Sequence, residues 1–337
     1  VVTTYEIAEK AGVSQATVSR VLNGSNAVNP ETKQKVMEWV RKLEYQPNRT
    51  ARSLITKRSN LFGLIIPDVS NPYFTVVLKA VEQAADMNGY NIILGDSCGN
   101  LQKEKQCINI LRSHQVDGIL LVPVSKEDSH RNIPKQCEIP IVAITQDVAS
   151  LTSICISHSR GGALVANHLL ELGHTNIAFI GTAGDEKCQG LREALMMRGF
   201  PFDDENMITL TQAWNPLGSH EVHAKLTAYL ERKGKLAVTA LCANSDVAAF
   251  IAMHILQEHG YVVPDDIAVT GFDNTFLAYE ARPQLTSVAQ PVTEIARLAL
   301  NHLLERITGK QTDQLQKIVL EPTLVIRHST HKAKVLA

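Results

Sequence analysis

Residues 3–22 read TTYEIAEKAGVSQATVSRVL, two short apolar stripes separated by a glycine. Ile7, Ala8 and Ala11 recur at helical spacing, so a first helix is expected there, with Thr4 as its cap. Gly12 supplies the left-handed turn that ends it. Ser14, with Thr17 three positions on, opens a second helix whose stripe is Val18, Val21 and Leu22. Two short helices joined by a tight Gly turn have the spacing of a helix-turn-helix. Ala8 is small enough for the helices to cross closely, and Val13 and Val18 fill the space between them. After Pro30 a third helix, Glu31 to Leu43, offers Val36, Trp39, Val40 and Leu43 to close a three-helix core. The other face of the second helix carries Gln15, Ala16, Thr17, Ser19 and Arg20. In such a unit the second helix enters the major groove of DNA, where Arg20 can donate two hydrogen bonds to a guanine.

The charge distribution agrees. The chain has 337 residues, 45% hydrophobic and 20% charged, with a net charge of -1. That balance describes a globular protein of two or three packed units and excludes a disordered tail. Residues 1–60 hold ten Lys and Arg against five Asp and Glu, so a basic head precedes an acidic body. The six cysteines, Cys98, Cys107, Cys137, Cys155, Cys188 and Cys242, stand singly with no CxxC pair, which points away from a disulfide framework and from metal. No cofactor is expected. No apolar run is long enough to span a membrane, and the first residues do not resemble a secretion signal, so a cytoplasmic location is expected.

The run from Tyr5 to Asn23, together with Tyr45-Gln-Pro-Asn-Arg-Thr-Ala-Arg-Ser-Leu54, resembles the LacI/GalR (lactose/purine repressor) family of bacterial transcription regulators, and the resemblance extends to about Thr330. It implies a helix-turn-helix domain over 1–46, a hinge helix and linker over 47–60, an effector-binding domain over 61–330 and a tail over 331–337. By position it makes Gln15 and Ala16 the main specificity residues and Arg20 a base contact. Thr3, Ser14, Thr17, Ser19 and Asn23 would hold phosphates, with Asn48, Arg49 and Arg52 beside them, and phosphate contacts place a protein without choosing a sequence. Leu54 would be the wedge that enters the minor groove and kinks the duplex, on a hinge too short to be a stable helix without DNA.

From Leu61 onward, short apolar runs alternate with helical segments: Phe62–Pro67, Asn91–Gly95, Gly118–Val122, Ile139–Ile144, Ile177–Gly181, Ala237–Ala243 and Ile267–Gly271. Continuous β-branched runs suit parallel strands buried on both faces and covered by helices. Two such sheets are expected, divided in the gap between Ser153 and Arg160, with Gln290-Pro291 as a return crossing. The fold class is therefore an all-α helix-turn-helix domain plus an α/β, periplasmic-binding-protein-like body with two parallel-sheet lobes. The N-lobe is placed at about 61–157 and 290–318, and the C-lobe at about 158–289 and 319–330.

A ligand in such a body binds between strand ends. The candidates there are Asn71, Tyr73 and Phe74 after the first strand, Thr145, Asp246 and Asp273 after later strands, Trp214 in the polar run Gln212 to Ser219, and Gln290 at the crossing. Tyr73, Phe74 or Trp214 can stack on a ring or belong to the core, and Asp246 can bind ligand or cap the helix after it. Lys187 stands where the family commonly has Arg, and Ser157-His158 where many members have Asp-Asn. The resemblance implies a homodimer on palindromic operator DNA, with a sugar or nucleoside as effector and no leucine-zipper tail after His331. Gly95-Asp-Ser-Cys-Gly99 also fits the G-x-S-x-G of a hydrolase, with Ser97 as nucleophile. Asn100 and Leu101 lengthen that turn, however, and no oxyanion loop precedes it.

Overall fold

Thr3, one residue ahead of the expected cap, opens the first helix in the computed structural model, which describes residues 2–22, 27–45, 58–125, 139–211, 218–233, 238–309 and 314–331. Helix α1 is Thr4–Ala11. The Thr3 hydroxyl accepts from the Glu6 amide, and the Glu6 carboxylate accepts from the Thr3 amide, a reciprocal capping box. Thr4 is displaced from the capping role because its side chain turns to the second helix. Thr3→Ala is expected to cost the 1–59 unit about 1 kcal/mol, measured as a lower denaturation midpoint of its helical signal. No change would show that the box is dispensable.

Gly12 ends α1 at φ 68, in the left-handed region where a glycine carries no Cβ penalty. Helix α2 is Gln15–Leu22, with the Ser14 hydroxyl accepting from the Thr17 amide, and α3 is Pro30–Lys42, capped by Asn29. Ile7, Ala8, Ala11, Val18, Val21 and Val36 form the buried centre, flanked by Val13, Leu22, Trp39, Val40 and Leu43.

The chain divides into two units, 1–59 and 60–337. In the second, strands and helices alternate as β1 Leu61–Ile66, α4 Pro72–Asp86, β2 Asn91–Asp96, α5 Leu101–Ser113, β3 Gly118–Leu121, β4 Ile141–Thr145, β5 Thr152–Ile156 and α6 His158–Glu171. There follow β6 Ile177–Thr182, α7 Glu186–Met197, β7 Met207–Leu210, α8 Gly218–Lys233, β8 Ala240–Ala243, α9 Asp246–Glu258, β9 Ala268–Asp273 and α10 Phe276–Glu280. The last elements are β10 Thr286–Ala289, α11 Val292–Ile307, β11 Lys317–Leu320 and β12 Thr323–Val325. One sheet has the order β11-β5-β4-β3-β1-β2 and the other β12-β10-β9-β8-β6-β7. All neighbours are parallel except β12, which runs antiparallel to β10.

Two expectations need correction. The sheets do divide at Ser153 to Arg160, with β5 in the first and β6 in the second, but the stretch is no gap: it holds most of the buried strand β5 and the start of α6. Thr152 and Ser153 look too polar for a core strand, but the Ser153 hydroxyl takes the Val148 amide and lies against the Val148 and Leu151 carbonyls, so nothing polar is left unsatisfied. Strand β2 is not buried on both faces, because it is an edge strand with β1 as its one neighbour.

Helices α6 and α7 cross at backbone distance. A Cβ on Gly190 would stand 1.8 Å from the Ser159 carbonyl oxygen, and one on Gly162 1.9 Å from that of Lys187. No side chain fits there, so two glycines lock the amino-terminal ends of these helices together.

Candidate functional site

In the 1–59 unit, Ser14, Gln15, Ala16 and Arg20 are exposed on one side of α2, while Thr17 and Ser19 are half-buried beside them. The Ser14 and Thr17 hydroxyls are 2.9 Å apart, and the Gln15 amide donates to the Thr4 hydroxyl at 2.9 Å. The bond to Thr4 occupies one amide hydrogen. The second hydrogen and the carbonyl oxygen remain, the donor–acceptor pair with which a glutamine reads adenine. Asn23, Asn48, Arg49, Arg52 and Leu54 lie outside the described residues.

In the 60–337 unit, a cavity of about 410 Å³ opens where the two sheets present their strand ends. Asn71, Tyr73, Thr145, Lys187, Asp273 and Gln290 line it, all named from the sequence. Strand ends and helix starts bring them together: Asn71 caps α4, Thr145 ends β4 and Asp273 ends β9. Thr145 at φ 68 and Asp273 at φ 102, both on the cavity wall, and Asn274 at φ 49 beside it are left-handed, which is strained for residues with a Cβ.

A chain of hydrogen bonds spans the cavity wall. The Tyr73 hydroxyl donates to the Gln290 side-chain oxygen at 2.8 Å, and the Gln290 amide donates to Asp273 at 2.8 Å. Burial pushes the Asp273 carboxyl up to about 7, against the pull of the Lys187 ammonium and with added repulsion from Asp246. Burial likewise holds the Tyr73 phenol well above its usual range. Lys187 donates to the Asn244 carbonyl at 2.6 Å and sits 4.1 Å above the Phe272 ring.

Two sequence candidates stand off the cavity wall. Phe74 is fully buried in the core cluster, because it falls on the face of α4 that packs on the sheet. Asp246 is fully buried as well; its carboxylate accepts from the Thr275 amide at 2.5 Å, the Thr275 hydroxyl at 3.0 Å and the Ser287 hydroxyl at 2.5 Å. Burial raises its pKa to about 6 against those three bonds. It therefore braces the turn that follows Asp273, and Ser245 caps α9 in its place. Trp214 lies outside the described residues. The sequence reading missed Gln146, Asp185 and Asn244, which also line the cavity, and named His158 only as a departure from the family pattern. Asp185 was findable, as the cap position just after a strand.

Ser97 is wholly buried and donates to the Ile66 carbonyl at 3.2 Å, while Asn100 caps α5 after a left-handed Cys98. The turn is not a nucleophile elbow.

Known proteins match this arrangement. Residues 3–48 match the family described as bacterial regulatory proteins, lacI family, and residues 166–330 match the periplasmic binding protein-like domain. The HTH-type transcriptional regulator DegA of Bacillus subtilis is 36% identical, over 97% of this chain and 98% of its own. The chain belongs to the lacI family. It is a DNA-binding transcriptional regulator with an effector-binding body, and its family relatives are regulators and not enzymes. Among solved structures, the lac repressor dimer bound to operator and an anti-inducer superimposes with a TM-score of 0.84, at 26% identity over 98% of this lacI-family chain and 99% of that one. The complex of the transcriptional regulator CelR with cellobiose superimposes with a TM-score of 0.70, at 28% identity over 98% of this chain and 100% of that one. Among the described residues, no helix is long and apolar enough to cross a membrane, and no group of His, Cys, Asp and Glu has the arrangement of a metal site.

Proposed function

We propose that this regulator acts in the cytoplasm as a homodimer on a palindromic operator, and that a sugar in the cavity of the 60–337 unit controls it. The observation that carries this reading is the chain Tyr73–Gln290–Asp273, which joins α4 of one lobe to β9 of the other at the cavity wall. A ligand hydroxyl that engages Asp273 acts on both lobes at once, so it favours one lobe arrangement over another. By thermodynamic reciprocity, an effector that prefers the arrangement suited to DNA tightens operator binding, and one that prefers the other weakens it. The N-lobe is assigned to about 61–157 and 290–318, and the C-lobe to about 158–289 and 319–330. Asn71, Tyr73, Thr145, Lys187, Asp273 and Gln290 are assigned to the effector. Thr3, Ser14, Gln15, Ala16, Thr17, Ser19 and Arg20 are assigned to DNA.

The test is selection of operators from a random library with the full chain, followed by fluorescence anisotropy across salt concentrations and a sugar panel. A palindromic consensus, a steep loss of affinity with salt and a shift by one sugar are expected. Arg20→Ala is expected to lose about 1–3 kcal/mol of discrimination at one base pair of each half-site. Absence of sequence preference would overturn the reading.

A further inference from the structure

We propose that the effector is an acidic sugar: a polyol with one carboxylate, which pairs with Lys187 while Asp273 and Gln290 read its hydroxyls. This rests on the cavity being the effector site.

The cavity separates its charges. The Lys187 ammonium has three donors and spends one on the Asn244 carbonyl; it acts on Asp273 through the field, but among the described residues no carboxylate forms an ion pair with it. The acids nearby are committed elsewhere or suited to hydroxyls. Asp185 accepts from the Lys187 amide with one oxygen and from the Asn244 side chain with the other. Glu186 lies in the first turn of α7 at the cavity edge. Asp273 lines the cavity and spends one oxygen on Gln290, and its other oxygen is an acceptor.

The backbone adds to the positive end. Helices α4, α6, α7 and α9 all start on this wall, at Asn71, His158, Asp185 and Ser245, and helix starts favour anions. With three acids close by, one monovalent cation suits a carboxylate better than a phosphate dianion. A cationic amino sugar would face the ammonium, and a neutral sugar would leave it without an ion-pair partner. A nucleobase would want an open stacking face, but Tyr73 is 5% exposed with its hydroxyl held by Gln290, and the His158 ring lies against Phe272 with its Nε2 on the Thr145 carbonyl.

The test is calorimetric titration of the full chain with D-glucuronate, D-gluconate, glucuronamide, D-glucose, D-glucosamine, glucose 6-phosphate and uridine. At least one acid is expected to bind tenfold or more tighter than glucose, and glucuronate tenfold or more tighter than glucuronamide, which keeps its shape without the charge. Lys187→Gln is expected to remove that preference and Lys187→Arg to retain it. Glucose, glucosamine, the phosphate or uridine binding more tightly than both acids would overturn this inference and leave a ligand site in place. An equal loss of acid and neutral sugar in Lys187→Gln would also overturn it. Failure of every compound to bind would overturn the sugar reading along with it.

Discussion

Gly190→Ala is expected to lower the unfolding free energy of the 60–337 unit by about 3 kcal/mol, at the upper end of overpacking costs. The new methyl would lie 1.8 Å from the Ser159 carbonyl oxygen and 2.5 Å from its carbon, and a backbone cannot swing aside as a side-chain tip can. The helices α6 and α7 must separate, and with them His158 and Lys187, which both line the cavity. Gly89→Ala is the control: it meets nothing within 4 Å and suffers only from φ 73, at a cost of about 1 kcal/mol. Urea denaturation of the three proteins separates the effects. If Gly190→Ala is no less stable than Gly89→Ala, the helix crossing is looser than described.

Asp273→Asn is expected to stabilise the protein above neutral pH while weakening effector binding. The folded carboxyl sits at about 7, raised by burial, whereas an unfolded aspartate titrates near its model value of 3.8. Between those values the folded state holds the proton more tightly than the unfolded one, so stability falls as pH rises from about 4 through about 7 and is level above that. This is the reverse of an aspartate in a salt bridge. Asparagine is neutral throughout and still offers an oxygen to the Gln290 amide. Its advantage over the wild type should therefore be largest at pH 8, on the order of 2 kcal/mol after discounting for solvent in the cavity, and should vanish towards pH 4. Parallel urea titrations at the two pH values measure it. A difference that does not change with pH would mean that Asp273 is not held in a charge-averse setting. In effector titrations the same variant loses the carboxylate that accepts ligand hydroxyls, so a gain in stability accompanies a loss of function.

The correction at Asp246 shows why part of the site was hidden in the sequence. Asp246 and Asp273 both follow an apolar strand, and in the sequence they look alike. Strand β9 runs through Asp273 and ends on a left-handed residue that turns the carboxylate to the cavity. Strand β8 stops at Ala243, so Asp246 falls in the first turn of α9 and points inward to Thr275 and Ser287. Tyr73 and Phe74 differ in the same way, by one step of helix rotation. The polar strand β5 was missed because its hydroxyls are satisfied by backbone groups that only the folded chain brings near.

The sequence by itself determined the helix-turn-helix and the alternating α/β order, because both rest on local rules. Stripe spacing within a few residues, a glycine where φ must be positive and cap residues at helix starts act over one or two turns of chain. Only the tertiary structure decided which polar residues meet. Tyr73 and Gln290 are 217 positions apart, and their hydrogen bond depends on how far each strand runs and which way each helix is rotated against its sheet. Those two quantities are set by packing across the whole body, where a shift of one residue moves a side chain from the cavity wall into the core.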